Sequence, residues 1–450
     1  MILPLLLSLA ATAAPPLAQG PGAPGGPAGP AEPGATATTR AFVGARILPI
    51  SGPEIETGVL VVSDGKIVSV TAGGAVPEGA EVIDAAGKTI MPGLVCTHSH
   101  LGGIGGADGS GPIQPDVRVS DSINVRDAGY MRALAGGLTA LNVMPGSGHL
   151  LSGQTCYLKL RADASTIEDM FIRDADGAPT GGIKMANGTN PMRGGAFPGT
   201  RGRSAALVRQ QFIAAQEYMA KIEAAGDDET KLPNRHIGME ALAEVLSGKR
   251  VVHHHTHRHD DILTVLRLAE EFHFRVVLHH VSEAWKVADE IAASGAACSI
   301  ILVDSPGGKP EAIDVAFKTG GVLERAGVKV AFHTDDWITD SRLFLRMGAL
   351  AVRAGMSREG ALRALTLSGA EILELEDRIG SLEPGKDADF TILDGDPFSV
   401  YTKVLETWVE GEKRFDRGLP EHALYAEGGY GAAHDQEPYF CCFGLQAGGQ

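Results

Sequence analysis

Apolar residues along this chain follow two different spacings. From Arg40 to Asp84 they alternate with polar ones in short runs, such as Val59-Leu60-Val61-Val62 and Lys66-Ile67-Val68-Ser69-Val70, separated by Ser63-Asp64-Gly65-Lys66 and Gly73-Gly74. Alternation with period two, broken by Asp-Gly and Gly-Gly, predicts hairpins and a small all-β unit. Beyond it, short apolar runs alternate with stretches whose apolar residues recur every three or four positions. Ile90–Thr97, Leu138–Met144, Thr155–Leu160, Gly182–Met185, Arg250–His255, Arg275–Val281, Ala297–Val303 and Val328–Thr334 read as strands. Asp261–Phe272 reads as a helix, with Ile262, Val265, Leu266 and Ala269 on one stripe and Asp260 or Asp261 capping its start. Strands and helices in this alternation predict an α/β fold, a (β/α)8 TIM barrel whose active site lies at the C-terminal ends of its strands.

The first of these strands, Ile90-Met91-Pro92-Gly93-Leu94-Val95-Cys96-Thr97-His98-Ser99-His100, ends in two histidines. Side chains alternate along a strand, so His98 and His100 point to the same side, one pleat apart, where two imidazoles can reach one metal ion. A bare His-x-His is weak evidence, because surface pairs are common. The apolar strand, the Pro-Gly entry and the Gly-rich loop from Gly102 to Gly111 strengthen it.

Together these features resemble the first barrel strand of the amidohydrolase superfamily. A second match is the string Leu382-Glu383-Pro384-Gly385-Lys386-Asp387-Ala388-Asp389, which by itself is a turn between strands. The resemblance implies that the segments flanking the barrel, residues 40–89 and 376–416, pair into one small β-sandwich around a barrel at 90–375. It also implies a metal centre built from the His-x-His of strand one, a carboxylated lysine or glutamate near strand four, single histidines from strands five and six, and an aspartate from strand eight.

Each has a candidate at a predicted strand end. In Val251-Val252-His253-His254-His255-Thr256-His257-Arg258-His259-Asp260-Asp261-Ile262, starting the next helix at Asp260-Asp261-Ile262 puts His255 at the strand's end as ligand, with His257 beside it. Which imidazole of 253–259 binds stays open by two positions, and a His tract can also collect metal without catalysis. In strand six, family spacing favours His280 over His279, which alternation places on the opposite face as a packed or hydrogen-bonded residue. Asp335 matches the family's Thr-Asp ending; alone it would read as a helix cap. Lys184, in Ile183-Lys184-Met185-Ala186-Asn187-Gly188, resembles the bridging lysine of the imidazolonepropionase-like, peptidase-like branch. A lysine ammonium repels a cation, but its carbamate is an anionic oxygen ligand. The alternative is a core lysine paired with an acid, leaving one ion.

Imidazole and carboxylate ligands without thiolate point to zinc, one or two per chain, with manganese, iron or cobalt also compatible. Such an ion lowers the pKa of water towards ~7. Asp335 would then shuttle a proton from that water to a leaving nitrogen, and His257 or the surroundings of His280 would stabilise the oxyanion. The expected reaction is hydrolysis of a C–N bond in a linear or cyclic amide of a small molecule; a one-ion ring deaminase and an exported metal-binding protein without catalysis are the other readings. Gln154 in the Met144–Gln154 loop, Arg193 in the basic, Gly-rich loop Asn187–Ser204 and Arg258 in the His tract are candidate substrate contacts.

Composition narrows this further. At 450 residues, with 44% hydrophobic and 21% charged, the chain has room for a barrel and a smaller domain. A net charge of -16 without a basic stripe argues against nucleic acid. The five cysteines, Cys441-Cys442 adjacent and the rest scattered, form no disulfide framework. Residues 1–20 begin with a short apolar run, Ile2–Ala14, and small residues that suit a signal peptide, though no Lys or Arg precedes the run. The run is too short to span a bilayer, so the expectation is an exported protein without membrane insertion, the alternative being a cytoplasmic one. Residues 21–39 are a Pro/Gly-rich linker and 417–450 a tail with no family counterpart. The resemblance makes a homo-oligomer possible.

Overall fold

A computed structural model describes residues 38–104, 108–303, 309–336 and 338–428. The expected signal peptide, most of the linker, Cys441, Cys442 and the tail beyond 428 lie outside the described residues. Among the described residues, no helix is long and apolar enough to cross a membrane.

The first strands are β1 (Arg40–Ile47), β2 (Ile55–Ser63), β3 (Lys66–Thr71), β4 (Glu81–Asp84) and β5 (Thr89–Pro92). Nine follow in the central part of the chain: β6 (Leu94–Ser99), β7 (Leu138–Val143), β8 (Leu151–Gln154), β9 (Cys156–Lys159), β10 (Ile183–Ala186), β11 (Val252–Thr256), β12 (Val276–His280), β13 (Ala297–Ile300) and β14 (Val330–Phe332). The last are β15 (Phe390–Leu393), β16 (Val404–Val409) and β17 (Glu412–Asp416).

The two flanking segments pair into one eight-stranded sheet, in the order β17-β16-β15-β5-β1-β2-β3 with β4 beside β1. Its seam is the antiparallel pair β5 and β15, Pro92 opposite Phe390 and Thr89 opposite Leu393. Strand alternation sends Phe42, Leu60, Ile90, Phe390 and Trp408 to one face, where they form a buried cluster. Phe42 meets Phe390 edge-on at 5.0 Å, and Phe390 stacks on Trp408 at 5.5 Å.

The central strands form a three-stranded sheet, β6-β7-β9, and a six-stranded one, β14-β13-β12-β11-β10-β8. β10 to β14 are all parallel. Helices separate them: Arg201–Ala225 and Ile237–Leu246 after β10, His259–Phe272 after β11, Ala288–Ser294 after β12 and Thr319–Arg325 after β13. The two sheets touch at two places, one beside β14 and one beside the start of β10. The amide of Asp335, just past β14, donates to His98 O of β6 at 3.1 Å, and the amides of Thr155 and Tyr157 donate to Gly182 O and Thr180 O. The chain is thus a mixed α/β protein.

Three sequence expectations change. Ile90–Thr97 is two strands: β5 belongs to the outer sheet and β6 to the core. The break is Gly93, where a Cβ would sit 2.2 Å from the Thr139 side chain, so only glycine lets the chain cross there. Thr155–Leu160 is not a strand of a parallel alternation: β9 runs antiparallel to β7, and β8 antiparallel to β10, with no helix between. A period-two run has the same spacing in either direction. The loop Asn187–Ser204 ends early, because Thr200 Oγ1 accepts from the Arg203 amide and caps a helix that contains Arg201 and Arg203.

The outer sheet is tied to the core through a buried ion network. Lys159 of β9 has no exposed side-chain surface, and its Nζ lies 2.6 Å from Asp387, 2.7 Å from Asp389 and 3.7 Å from Glu410. Lys66 and Arg378 also pair with Asp387. Burial alone would raise the Asp387 carboxyl, but Lys159 and its companions outweigh it and hold the group at about 2. The turn that seemed only to connect strands supplies the counter-charges of a core lysine. Removing one member of such a set leaves uncompensated buried charge, at a cost of about 3–5 kcal/mol. Lys159→Met is therefore expected to lose stability of that order, read as a lower urea midpoint; an unshifted midpoint would mean the network contributes nothing.

Candidate metal centre

The centre forms where β6, β10, β11, β12 and β14 end. His98 and His100 sit on the same side of β6, as alternation demands, with their Nε2 atoms 3.1 Å apart. Past β14, Asp335 takes a left-handed backbone, φ 47°, while its amide is held by His98 O. That turn brings Asp335 Oδ1 to 3.0 Å from His100 Nε2 and 3.4 Å from His98 Nε2. β12 ends the same way, with φ 68° at His280 and 42° at Val281. Positive φ at a β-branched residue is costly and persists only where surrounding structure enforces it. Here the Val281 amide donates to Thr256 O of β11.

The left-handed turn also breaks alternation at the end of β12. His279 does not face away: its ring centroid is 5.0 Å from that of His98, and His280's is 4.9 Å away. His279 Nε2 lies 3.0 Å from His253 Nδ1, and His253 Nε2 lies 3.0 Å from Tyr157 OH, a polar layer beneath the centre.

Hydrogen-bond direction shows what the cluster offers. His100 Nδ1 lies 2.7 Å from Met144 O. A carbonyl only accepts, so Nδ1 carries a proton and Nε2 is the atom turned toward Asp335 and His98. Burial, then the charges of Lys184 and His100, drives the His98 pKa well below 6.5; burial, then His255, does the same for His280. His333 is pushed down to about 3, again mainly by burial. For Asp335 burial acts upward, but His100, His333 and Lys184 outweigh it and keep the carboxylate charged. Neutral imidazoles and an ionised carboxylate are the protonation states that metal binding requires.

The sets His98/His100/Asp335, His98/His280/His333 and His255/His257/Glu311 each have ligand atoms within 4.8 Å of one another. His280 Nδ1 lies 3.8 Å from Asp335 Oδ2, and the His255 and His280 rings meet at 4.5 Å between centroids. Both ring nitrogens of His255 and Nε2 of His280 are buried without a hydrogen-bond partner. Each such atom costs ~1–3 kcal/mol if it stays unsatisfied, so the donor set fits a divalent cation. Fully buried Lys184 places Nζ 3.2 Å from His98 Nε2 and 3.1 Å from Met144 Sδ.

His98, His100, Lys184, His255, His257, His280 and Asp335 are therefore in one neighbourhood. The expected substrate contacts are engaged elsewhere. Gln154 donates to Pro115 O at 3.2 Å, and Arg258 is paired with Asp260 at 2.8 Å. Arg193 donates to Gly148 O at 2.6 Å and stacks 3.8 Å above the Phe197 ring. Sequence reasoning missed His333, Asp336 and Glu311. His333 had a signal, because it precedes Asp335 by two and alternation puts both on one side. Asp336, buried, accepts from Ser99 and Thr334 at 2.7 Å each and from Ser341, which locks the turn at Asp335 to the strand bearing His98 and His100. Glu311 accepts from the Thr189 amide at 2.6 Å and pairs with Lys309 at 3.3 Å; nothing local in the sequence distinguishes it from other loop acids.

A family model described as "Amidohydrolase family" matches residues 213–415. An amidohydrolase from Thermotoga maritima MSB8, whose structure is solved, is 33% identical, superposes with a TM-score of 0.78 and is matched over 84% of this chain and 100% of its own. Amidohydrolase tasK of Hapsidospora irregularis is 25% identical over 392 residues; the match takes 80% of this chain but spans only 39% of that protein. A 5-methylthioadenosine/S-adenosylhomocysteine deaminase of Symbiobacterium thermophilum is 24% identical over 406 residues, 78% of this chain and 84% of its own.

If a cation satisfies these buried donors, dialysis against a strong chelator should lower the thermal midpoint and added zinc should restore it. Ligand at 100 times its Kd contributes about 2.7 kcal/mol. An identical midpoint with and without chelator, and no ion by elemental analysis, would contradict this.

Proposed function

The chain belongs to the amidohydrolase family, and from that premise we propose that it is a metal-dependent hydrolase cleaving a C–N bond in a linear or cyclic amide of a small molecule. The observation that carries the proposal is the convergence of His98 Nε2, His100 Nε2 and Asp335 Oδ1 within 3.4 Å, with the other ring nitrogen of His100 engaged by Met144 O. We read the two central sheets, joined beside β14 and beside the start of β10, as one barrel, and the outer sheet as the small β-sandwich domain around it.

In this proposal His98, His100, His255, His280 and Asp335 hold divalent metal, zinc by the nature of the donors. Lys184, as the carbamate that carbon dioxide would form on its Nζ with loss of a proton, would add an anionic oxygen ligand able to hold a second ion. Its complete burial beside His98 supports that role, since a buried ammonium among metal ligands would oppose binding. When bound, the metal supplies Lewis acidity, which lowers the pKa of water and draws charge from a carbonyl oxygen. Asp335, kept ionised, accepts the proton of the attacking water on its carboxylate and delivers it to the leaving nitrogen. His257, held by Ser282 Oγ 2.7 Å from its Nδ1 and stacked on His280, donates toward the oxyanion. Arg193, Arg258 and Gln154 remain candidate substrate contacts on condition that their present partners are released.

A one-ion deaminase is the second reading. The compactness of the His98/His100/Asp335 set favours it, as does the similarity to the Symbiobacterium thermophilum deaminase.

Two measurements test the proposal. Asp335→Ala should lower kcat at least about 100-fold while much of the metal stays bound; undiminished turnover of any amide substrate would reject the shuttle role. Elemental analysis should find about two ions per chain, falling towards one in Lys184→Ala. One ion in the unaltered chain would favour the deaminase.

A further inference from the structure

The chain repeats, at the end of β11, the pattern found at the end of β6. His255 and His257 are two residues apart, as His98 and His100 are, and a carboxylate from a distant segment stands against them as Asp335 does against the first pair. That carboxylate is Glu311, in a single turn of helix, Pro310–Ala312, between β13 and the helix Thr319–Arg325. Glu311 Oε1 lies 4.0 Å from His255 Nε2, and the His255 and His257 rings meet edge-on with centroids 4.7 Å apart. All three side chains are buried.

The carboxylate is held so that one oxygen stays available. Oε2 accepts from the Thr189 amide at 2.6 Å and lies 3.8 Å from Arg201 Nη2. Gly188 permits that approach, since a Cβ there would come within 2.6 Å of Oε2. Pinning the loop after β10 therefore needs Oε2 alone. Oε1 faces His255 and Lys309, whose Nζ is 3.3 Å from it and 2.9 Å from Asn190 Oδ1. Among the described residues, neither Oε1 nor either ring nitrogen of His255 has a hydrogen-bond partner. A cation between them would satisfy both, and a carboxylate oxygen with an imidazole nitrogen is a donor pair suited to zinc.

We infer that Glu311 is a metal ligand: with His255 it holds the second ion, and the ammonium of Lys309 competes with that ion for Oε1. This rests on the metal-dependent reading above and adds to it an anionic oxygen that the chain supplies without modification, beside any carbamate on Lys184. Both nitrogens of His255 are unpartnered, so no particular tautomer is required. His257 borders the same ion, its ligand atom lying within 4.8 Å of those of His255 and Glu311. Lys309 stays paired with Asn190 when the ion takes Oε1.

The test counts zinc in the full chain by elemental analysis and titrates it in competition with a chromophoric chelator. Glu311→Gln keeps the size of the side chain and an acceptor for the Thr189 amide, and should lower the count from about two ions per chain to about one. The remaining ion should bind as tightly as the tighter ion of the unaltered chain, because His98, His100 and Asp335 are untouched. Lys309→Gln removes the competing charge and should tighten the weaker zinc by about 10-fold or more, a gain that a mere loop pin would not give. Two ions of unchanged affinity in Glu311→Gln would overturn the inference and leave the metal-dependent reading standing. An unchanged weaker affinity in Lys309→Gln would do the same, and decides alone if Glu311→Gln does not fold. A single ion in the unaltered chain also overturns the role of Glu311, whereas no zinc at all overturns the functional reading together with it.

Discussion

The constraint on which this structure depends is electrostatic: unprotonated imidazoles and an ionised carboxylate are packed together at buried strand ends. His100 Nε2 and Asp335 Oδ1 face each other at 3.0 Å, with His98 Nε2 adjacent. In the unfolded chain, water would solvate these groups. In the folded protein a bound cation would reconcile them by drawing the imidazole nitrogens and the carboxylate to one positive centre. The left-handed backbone at His280, Val281 and Asp335 adds to the cost. The rest of the molecule has to hold this unfavourable arrangement in place.

It does so by joining neighbouring elements end to end. β5 and β6 are consecutive, separated only by Gly93, so the strand that carries His98 and His100 continues directly from one anchored in the outer sheet between β1 and β15. On the opposite side of the centre, Asp336 gathers Ser99, Thr334 and Ser341, which ties the turn bearing Asp335 to the residue between the two histidines. Lys159, with Asp387 and Asp389, fixes the outer sheet against β9. Glu311 holds the loop after β10 through the Thr189 amide. Each tie comes from a segment distant in sequence, and each is buried, where charge-assisted hydrogen bonds are strong and an unpaired group is costly.

The polar layer under the centre links several strands through buried side-chain hydrogen bonds. Tyr157, His253 and His279 form one branch; Thr97, Ser299 and His333 form the other. Both end against His98 or His280. The second branch joins side chains of β6 and β13 and the end of β14 to a ring on β12. This makes the orientation of the donor set a property of the whole group of strands.

Local pattern was sufficient for much of this. The two flanking β segments, most strands of the central part and the pair His98/His100 follow from spacing alone, because period two sets which side chains share a face, whereas β8 lies in a stretch that reads as loop. The helix His259–Phe272 was legible from its stripe. Resemblance to known amidohydrolases singled out Lys184, His255, His280 and Asp335, which do lie in one neighbourhood. What the sequence could not determine was set by contacts between distant segments. The antiparallel direction of β9 depends on its neighbour β7, since a strand's pattern reads the same both ways. His279 shares the face of Val277, which packs against the cluster of Val95, Ala140 and Ala331, and His280 reaches the same centre because its own backbone is left-handed, a conformation invisible to alternation. The pairing of Arg258 with Asp260 and the burial of Asp336 and Glu311 likewise depend on which groups surround them. Periodicity reports the face a residue occupies within its own element, whereas protonation, partnership and charge depend on what other elements bring against that face.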